Sequence, residues 1–204
     1  MAELQKGLEG VIASQTKVSS IIDSQLTYAG YDIDDLAQNA EFEEVVFLLW
    51  HYRLPNEEEL KELKEKLFGY MTLNPRVYSH FKEYATSNVH PMTALRTSVS
   101  YIAHFDEHAE TESDEQTMER AIRIQAKIAS LVTAYARVRE GKDVVKPNSD
   151  LNYAGNFLYM LRGELPTDIE VEAFNKALVL HADHELNAST FTARCAVSSL
   201  SDMY

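Results

Sequence analysis

Apolar positions fall at helical spacing through most of the chain. Phe42, Val45, Val46 and Leu49 recur at i, i+3, i+4 and i+7, and that run stops at Pro55. Leu60, Leu63 and Leu67 form a second stripe, with Glu57 to Glu59 in its first turn and Gly69 near its end. Pro75 opens a third helix over Arg76 to Ala85. His90-Pro91 opens a fourth through Phe105, with Met92, Leu95, Val99 and Ile102 on one face. The longest spans Asp114 to Glu140, buries Met118, Ile122, Ile128, Leu131, Val132 and Tyr135, and is closed by Gly141. Asp150 is placed to cap a helix to Leu161, ended by Gly163. Thr167 with Glu170 forms a capping-box pattern for a helix carrying Val171, Phe174, Leu178 and His181. A last helix starts near Ala188 and meets no stop signal before Tyr204.

The first 36 residues differ. Val11-Ile12-Ala13, Val18 to Ile22 and Leu26 to Tyr31 are short β-favouring runs punctuated by Gly10 and Gly30, which predict extended segments with turns, too short to found a large sheet. The fold class expected is therefore mostly α: short β-ribbon segments over residues 1–36, then one multi-helical unit of roughly eight helices over residues 39–204, without repeats or a linker. Between Ala126 and Ala136 the long helix carries one charge, Lys127, among many small residues, as a helix does when buried in a core or against another subunit.

Charge narrows the function classes. A net charge of −13 argues against a nucleic-acid partner, since phosphate binding needs clustered Lys and Arg. No apolar run approaches the about 20 residues that cross a bilayer, and Met1 to Lys6 lacks the apolar heart of a signal peptide. With one cysteine, Cys195, no disulfide forms within the chain. Cytoplasmic localisation and no membrane partner are expected. Cys195, on an apolar helix, reads as a small core residue.

Candidate chemistry concentrates in His181-Ala-Asp183-His184-Glu185-Leu-Asn187, followed by Ser189 and Thr190. Imidazoles and carboxylates this close serve acid–base work, metal binding or anion recognition. A spacing of three puts His181 and His184 on one helix face, and the start of the following helix offers backbone N–H groups to an anion. Spacing alone equally fits two histidines that only hydrogen-bond at a helix end. A metal-dependent phosphohydrolase using His181, Asp183 and His184 is a further reading, although the order matches no zinc motif. A non-catalytic helical dimerisation module, paired through Ala126 to Ala136, is another.

Read as a string, His181-Ala-Asp-His-Glu-Leu-Asn-Ala-Ser-Thr-Phe-Thr-Ala-Arg194 resembles the oxaloacetate-site segment of citrate synthases. So do Gly7-Leu-Glu-Gly-Val11, Thr16, Leu26-Thr-Tyr-Ala-Gly-Tyr-Asp-Ile-Asp-Asp-Leu36, Phe42-Glu-Glu-Val45, Leu54-Pro55, His90-Pro-Met92 and Tyr153-Ala-Gly-Asn-Phe-Leu158, in the family's order. The resemblance implies the N-terminal part of the mostly α large domain of a short, dimeric bacterial citrate synthase, which condenses acetyl-CoA with oxaloacetate to citrate and CoA. It implies substrate binding by His184 and Asn187, with His181 and Ser189 behind them bracing the site. No cofactor and no metal are implied, acetyl-CoA being a substrate, and the expected partner is a second copy of the chain. A 2-methylcitrate synthase acting on propionyl-CoA is the close alternative.

The family's Gly-Pro-x-His-Gly-Gly-Ala-Asn loop and Gly-x-Gly-His-Arg-Val-Tyr motif do not occur here. Catalytic residues are therefore expected beyond Tyr204, together with the small domain, and these 204 residues are expected to be inactive alone.

Overall fold

The computed structural model of the protein describes residues 14–85, 89–111 and 113–204. The extended run expected at Val11 to Ala13 lies outside the described residues. The other two form β1 (Ser19–Ile22) and β2 (Gln25–Tyr28), joined antiparallel to β3 (Tyr31–Asp32) in the order β1-β2-β3. Ser19 stands opposite Tyr28, and Tyr28 opposite Tyr31. Both connections are two-residue turns of left-handed backbone, Asp23-Ser24 at φ 51° and 67° and Ala29-Gly30 at φ 48° and 90°. This twist matches that of paired strands.

Nine α-helices follow among the described residues: α1 (Ile33–Asn39), α2 (Phe42–His51), α3 (Glu57–Met71), α4 (Pro75–Tyr84), α5 (Pro91–Ile102), α6 (Asp114–Arg139), α7 (Tyr153–Arg162), α8 (Asp168–Leu180) and α9 (Ala188–Val197). A 3₁₀ turn, Ala103–Phe105, extends α5. No helix of the described residues is long and apolar enough to cross a membrane.

Several boundaries depart from expectation for local reasons. Residues 33–39 are helical, because the Asp32 carboxylate accepts the Asp34 N–H at 2.7 Å and starts α1 inside the stretch read as extended. Asn152, not Asp150, caps α7: its side chain accepts the Gly155 N–H at 2.8 Å, while Asp150 sits in a turn with its own N–H on Asn148 Oδ1. The last helix stops at Val197. There the Ser198 and Ser199 hydroxyls bond the carbonyls of Cys195 and Ala196, and Leu200 turns to φ 60°.

The core is arranged around α6, which packs against α3, α4, α5 and α7. Its small residues admit these neighbours closely, with Ala126, Ala129, Ser130, Thr133 and Ala134 all buried. One buried cluster joins Tyr28, Val45, Leu48, Leu67, Ala126 and Val179; a second joins Leu73, Val77, Phe81, Ile102, Leu131 and Tyr135. Burying a Leu such as Leu48 or Leu131 contributes about 1.5–3 kcal/mol, so α6, which feeds both clusters, carries much of the stability. Glu43 of α2 is also buried, and its Oε1 accepts the Tyr153 N–H at 2.8 Å at the start of α7. Its Oε2 has no hydrogen-bond partner among the described residues, and burial pushes this carboxyl's pKa up.

The outer layer is α8, packed on α1, α2 and α7, and α9 follows it in the chain. No residue of α9 is buried, and Cys195 is exposed rather than in a core. The segment between these two helices holds the cluster singled out in the sequence.

Candidate functional site

Thr167 starts α8 with the expected capping box, Glu170 accepting the Thr167 N–H at 2.8 Å. Hydrogen bonds from the Thr167 backbone, the Arg162 guanidinium and the Thr167 hydroxyl hold the Glu170 carboxyl down at about 2. At the other end α8 stops at Leu180, so His181 is its C-cap and not a face residue. Residues 182–186 are non-helical. His181 and His184 therefore do not share a helix face, because the helix that such spacing requires ends before the second of them.

Each predicted site residue has a definite place. His181 is exposed, and its Nδ1 donates to the Ala177 carbonyl at 2.7 Å. His184 is exposed, and its ring hydrogen-bonds to nothing among the described residues. Asn187 is the N-cap of α9, its Oδ1 accepting the Thr190 N–H at 2.9 Å and its carbonyl accepting the Phe191 N–H at 2.8 Å. Its amide nitrogen stays available as a donor. Ser189 is exposed in the first turn of α9, where N–H groups lack intrahelical acceptors.

The structure thus brings His184, Asn187 and the open amides of α9 to one short stretch of chain. The arrangement suits an anion with several oxygens: an imidazole, a carboxamide N–H and helix N-terminal N–H groups, with the helix dipole favouring negative charge. His181, Asp183 and His184 are not gathered for a metal. Among the described residues no three His, Cys, Asp or Glu side chains form a cluster able to hold one.

The Asp183 carboxylate is instead committed to the neighbouring backbone and hairpin. Its Oδ2 accepts from the Ser19 hydroxyl of β1 and, at 3.1 Å, from the Glu185 N–H. Ser19 Oγ also accepts the Glu185 N–H at 2.8 Å, and Glu185 Oε1 accepts the Ile21 N–H at 3.0 Å. Tyr28, fully buried at the end of β2, has its hydroxyl 3.0 Å from the carbonyls of both Val179 and Asp183, and it accepts the Asp183 N–H at 3.2 Å. Burial pushes the Tyr28 phenol's pKa up, so it remains a neutral donor. Glu185 adopts a left-handed φ of 68°, which turns the chain between two tied positions. Sequence reading missed Ser19 and Tyr28, which sit more than 150 positions before their partners and carry no local signal.

A model described as citrate synthase, C-terminal domain, matches residues 7–204. Citrate synthase 2 of Bacillus subtilis is 57% identical over 199 residues, covering 98% of this chain and 54% of that protein. The crystal structure of citrate synthase from Pyrobaculum aerophilum superposes with a TM-score of 0.90 at 34% identity, covering 97% of this chain and 52% of that one. A ternary complex of carboxymethyl coenzyme A and oxaloacetate with the citrate synthase of Thermoplasma acidophilum gives a TM-score of 0.87 at 28% identity, covering 97% and 52%. The chain spans about half the length of the relatives it matches.

Proposed function

The chain belongs to the citrate synthase family, and from that premise we propose that it carries the oxaloacetate-binding segment of an enzyme condensing acetyl-CoA with oxaloacetate to give citrate and CoA. The observation that carries the reading is His184: an exposed ring without a partner among the described residues, on tied backbone, just ahead of the α9 N-terminus. Its N–H donates to an oxaloacetate oxygen. Asn187 supplies a second donor, and the first-turn amides of α9 favour a carboxylate. His181 and Ser189 stand behind these contacts. The geometry supports a bracing role for His181 directly, since its Nδ1–H is spent on Ala177.

Condensation further requires a base to take a proton from the acetyl methyl and a donor for the enolate that forms. The motifs that bring these in the family do not occur in residues 1–204. The 204-residue chain is therefore a binding half without turnover. Pure chain that released CoA thiol from acetyl-CoA and oxaloacetate would overturn this.

The proposal includes a homodimer, in which a second copy covers the apolar groove of about 500 Å³ between α5 and α6 lined by Met92, Leu95, Leu131, Val132 and Ala136. Light scattering at the mass of a monomer would remove it.

The direct test of the site is a nuclear magnetic resonance titration with oxaloacetate. His184 ring signals shift on addition, and H184A abolishes saturable binding while leaving the urea midpoint unchanged. Equal affinity in H184A would sink the reading.

A further inference from the structure

The backbone on both sides of His184 is held by one small hairpin, and the ring between has no hydrogen bond among the described residues. Asp183 is fixed through its N–H to the Tyr28 hydroxyl and through its carboxylate to Ser19. Glu185 is fixed through its N–H to Ser19 Oγ and through its carboxylate to the Ile21 N–H. A single hydroxyl, Ser19 Oγ, donates to one neighbour of His184 and accepts from the other, so both of its hydrogen-bonding capacities serve this segment.

Ser19 and Tyr28 occupy directly opposed positions of β1 and β2, so their spacing is set by the register of the pair. Ser19 is 5% exposed and Tyr28 is 0% exposed, so both hydroxyl-bearing residues are buried while Asp183 and Glu185 are half-buried. Tyr28 also belongs to the main core cluster, which ties the hairpin to α6 through packed side chains. The free imidazole is thus mounted on rigid backbone whose rigidity originates in the core. A binding group must be held within about 0.5 Å of its productive place, and among the described residues His184 is held through its backbone neighbours and not through its ring.

We infer that Ser19 and Tyr28 are positioning residues for the His184 site, acting through Asp183 and Glu185 and never touching the substrate. The inference rests on the oxaloacetate reading above for what His184 binds. It stands apart from that reading in what it says about the hairpin: strands β1 and β2 preorganise a loop near residue 184.

The test uses the 204-residue chain with isotopic labelling and oxaloacetate as the probe. In S19A the amides of Asp183 to Glu185 exchange about tenfold faster, and oxaloacetate affinity measured at the His184 ring falls about tenfold. The α6 amides and the urea midpoint hold. S19T, which keeps the hydroxyl, restores both local readouts. Y28F, which keeps the buried ring, gives the same pattern and serves if S19A folds poorly. A residue that mattered only to folding would lower the urea midpoint and leave the affinity of the folded protein unchanged.

Unchanged exchange and unchanged affinity in both variants would overturn the positioning role while leaving the oxaloacetate reading intact. Faster local exchange in a chain whose His184 ring never responds to oxaloacetate would instead overturn the oxaloacetate reading, and with it the substrate assigned to the positioned ring.

Discussion

Helices α6 and α9 show how differently two parts of one chain can be built. In α6 nine residues are buried, Ser113 caps the start with a hydrogen bond to the Gln116 N–H, and Arg137 and Arg139 sit in the last turn. In α9 no residue is buried, and Val197 is 58% exposed. What holds α9 is the Asn187 cap at one end and a bond from Arg194 to the Gln15 carbonyl at 3.0 Å. Stability therefore resides in the helix that carries no candidate chemistry. The candidate chemistry resides where hydrogen bonds do the holding instead of packing. Segments of the second kind open locally at little cost, which is why the site needs the hairpin ties that α6 can do without.

The contrast can be broken most forcefully from the α6 side. Leu131→Ala, at a position 1% exposed, is expected to cost about 2–5 kcal/mol in urea unfolding, while the fraction still folded binds oxaloacetate as before. Loss of affinity in folded L131A protein would mean that core and site are not separable. Next come the two caps. Asn152→Ala and Asn187→Ala each remove a side-chain acceptor at a helix start, worth about 1 kcal/mol. The loss in N152A appears in the global midpoint, because α7 is packed on α6. In N187A it appears as faster amide exchange within α9 and weaker oxaloacetate binding, with the midpoint nearly unmoved.

The pH dependence of Glu43 sharpens the comparison further. Burial raises its pKa above the ordinary 4.5, with Glu41 adding to the rise and the Tyr153 N–H and Lys64 opposing it. The folded protein thus holds this proton more tightly than the unfolded chain. The stabilisation is complete below 4.5 and is lost as pH rises through the folded value. E43Q, which cannot ionise, should become more stable relative to the parent as pH rises across that window, as read from urea midpoints at a series of pH values. A constant difference would show that Glu43 does not titrate there.

The smallest effect belongs to the surface. Glu59 is held down at about 2, first by its bond to Arg53 and then by the Asn56 N–H. Its contribution is present above 4.5 and fades as pH falls toward 2. R53M should move the Glu59 titration upward, with little change in stability because the pair lies in solvent.

Legibility followed the range of the interaction. The Thr167–Glu170 capping box, the Pro75 and Pro91 helix starts and the Gly163 stop are signals contained within a few residues, and the structure places them as the sequence implies. Asn152 and Asp150 are both good capping residues two apart, and only the path of the loop, with the Asp150 N–H turned onto Asn148, decides between them. Helix α1 is hidden because it has only seven residues and its cap, Asp32, is also the last residue of β3. The string around His184 identifies the segment, yet neither Ser19 nor Tyr28 looks special on its own. Their meaning comes from the closure of the fold.

That closure has a consequence for biogenesis. Ser19 emerges from the ribosome 164 residues before its partner Asp183. Bringing such distant positions together carries a loop-closure entropy that local helices never meet. The α6-centred core can therefore assemble while the hairpin still lacks its partner, and the ties around His184 are among the last contacts to form. A nascent chain arrested after α8 would keep most of its packing and lack the proposed binding segment, so that segment is completed only after the elements of the α6-centred core have been made.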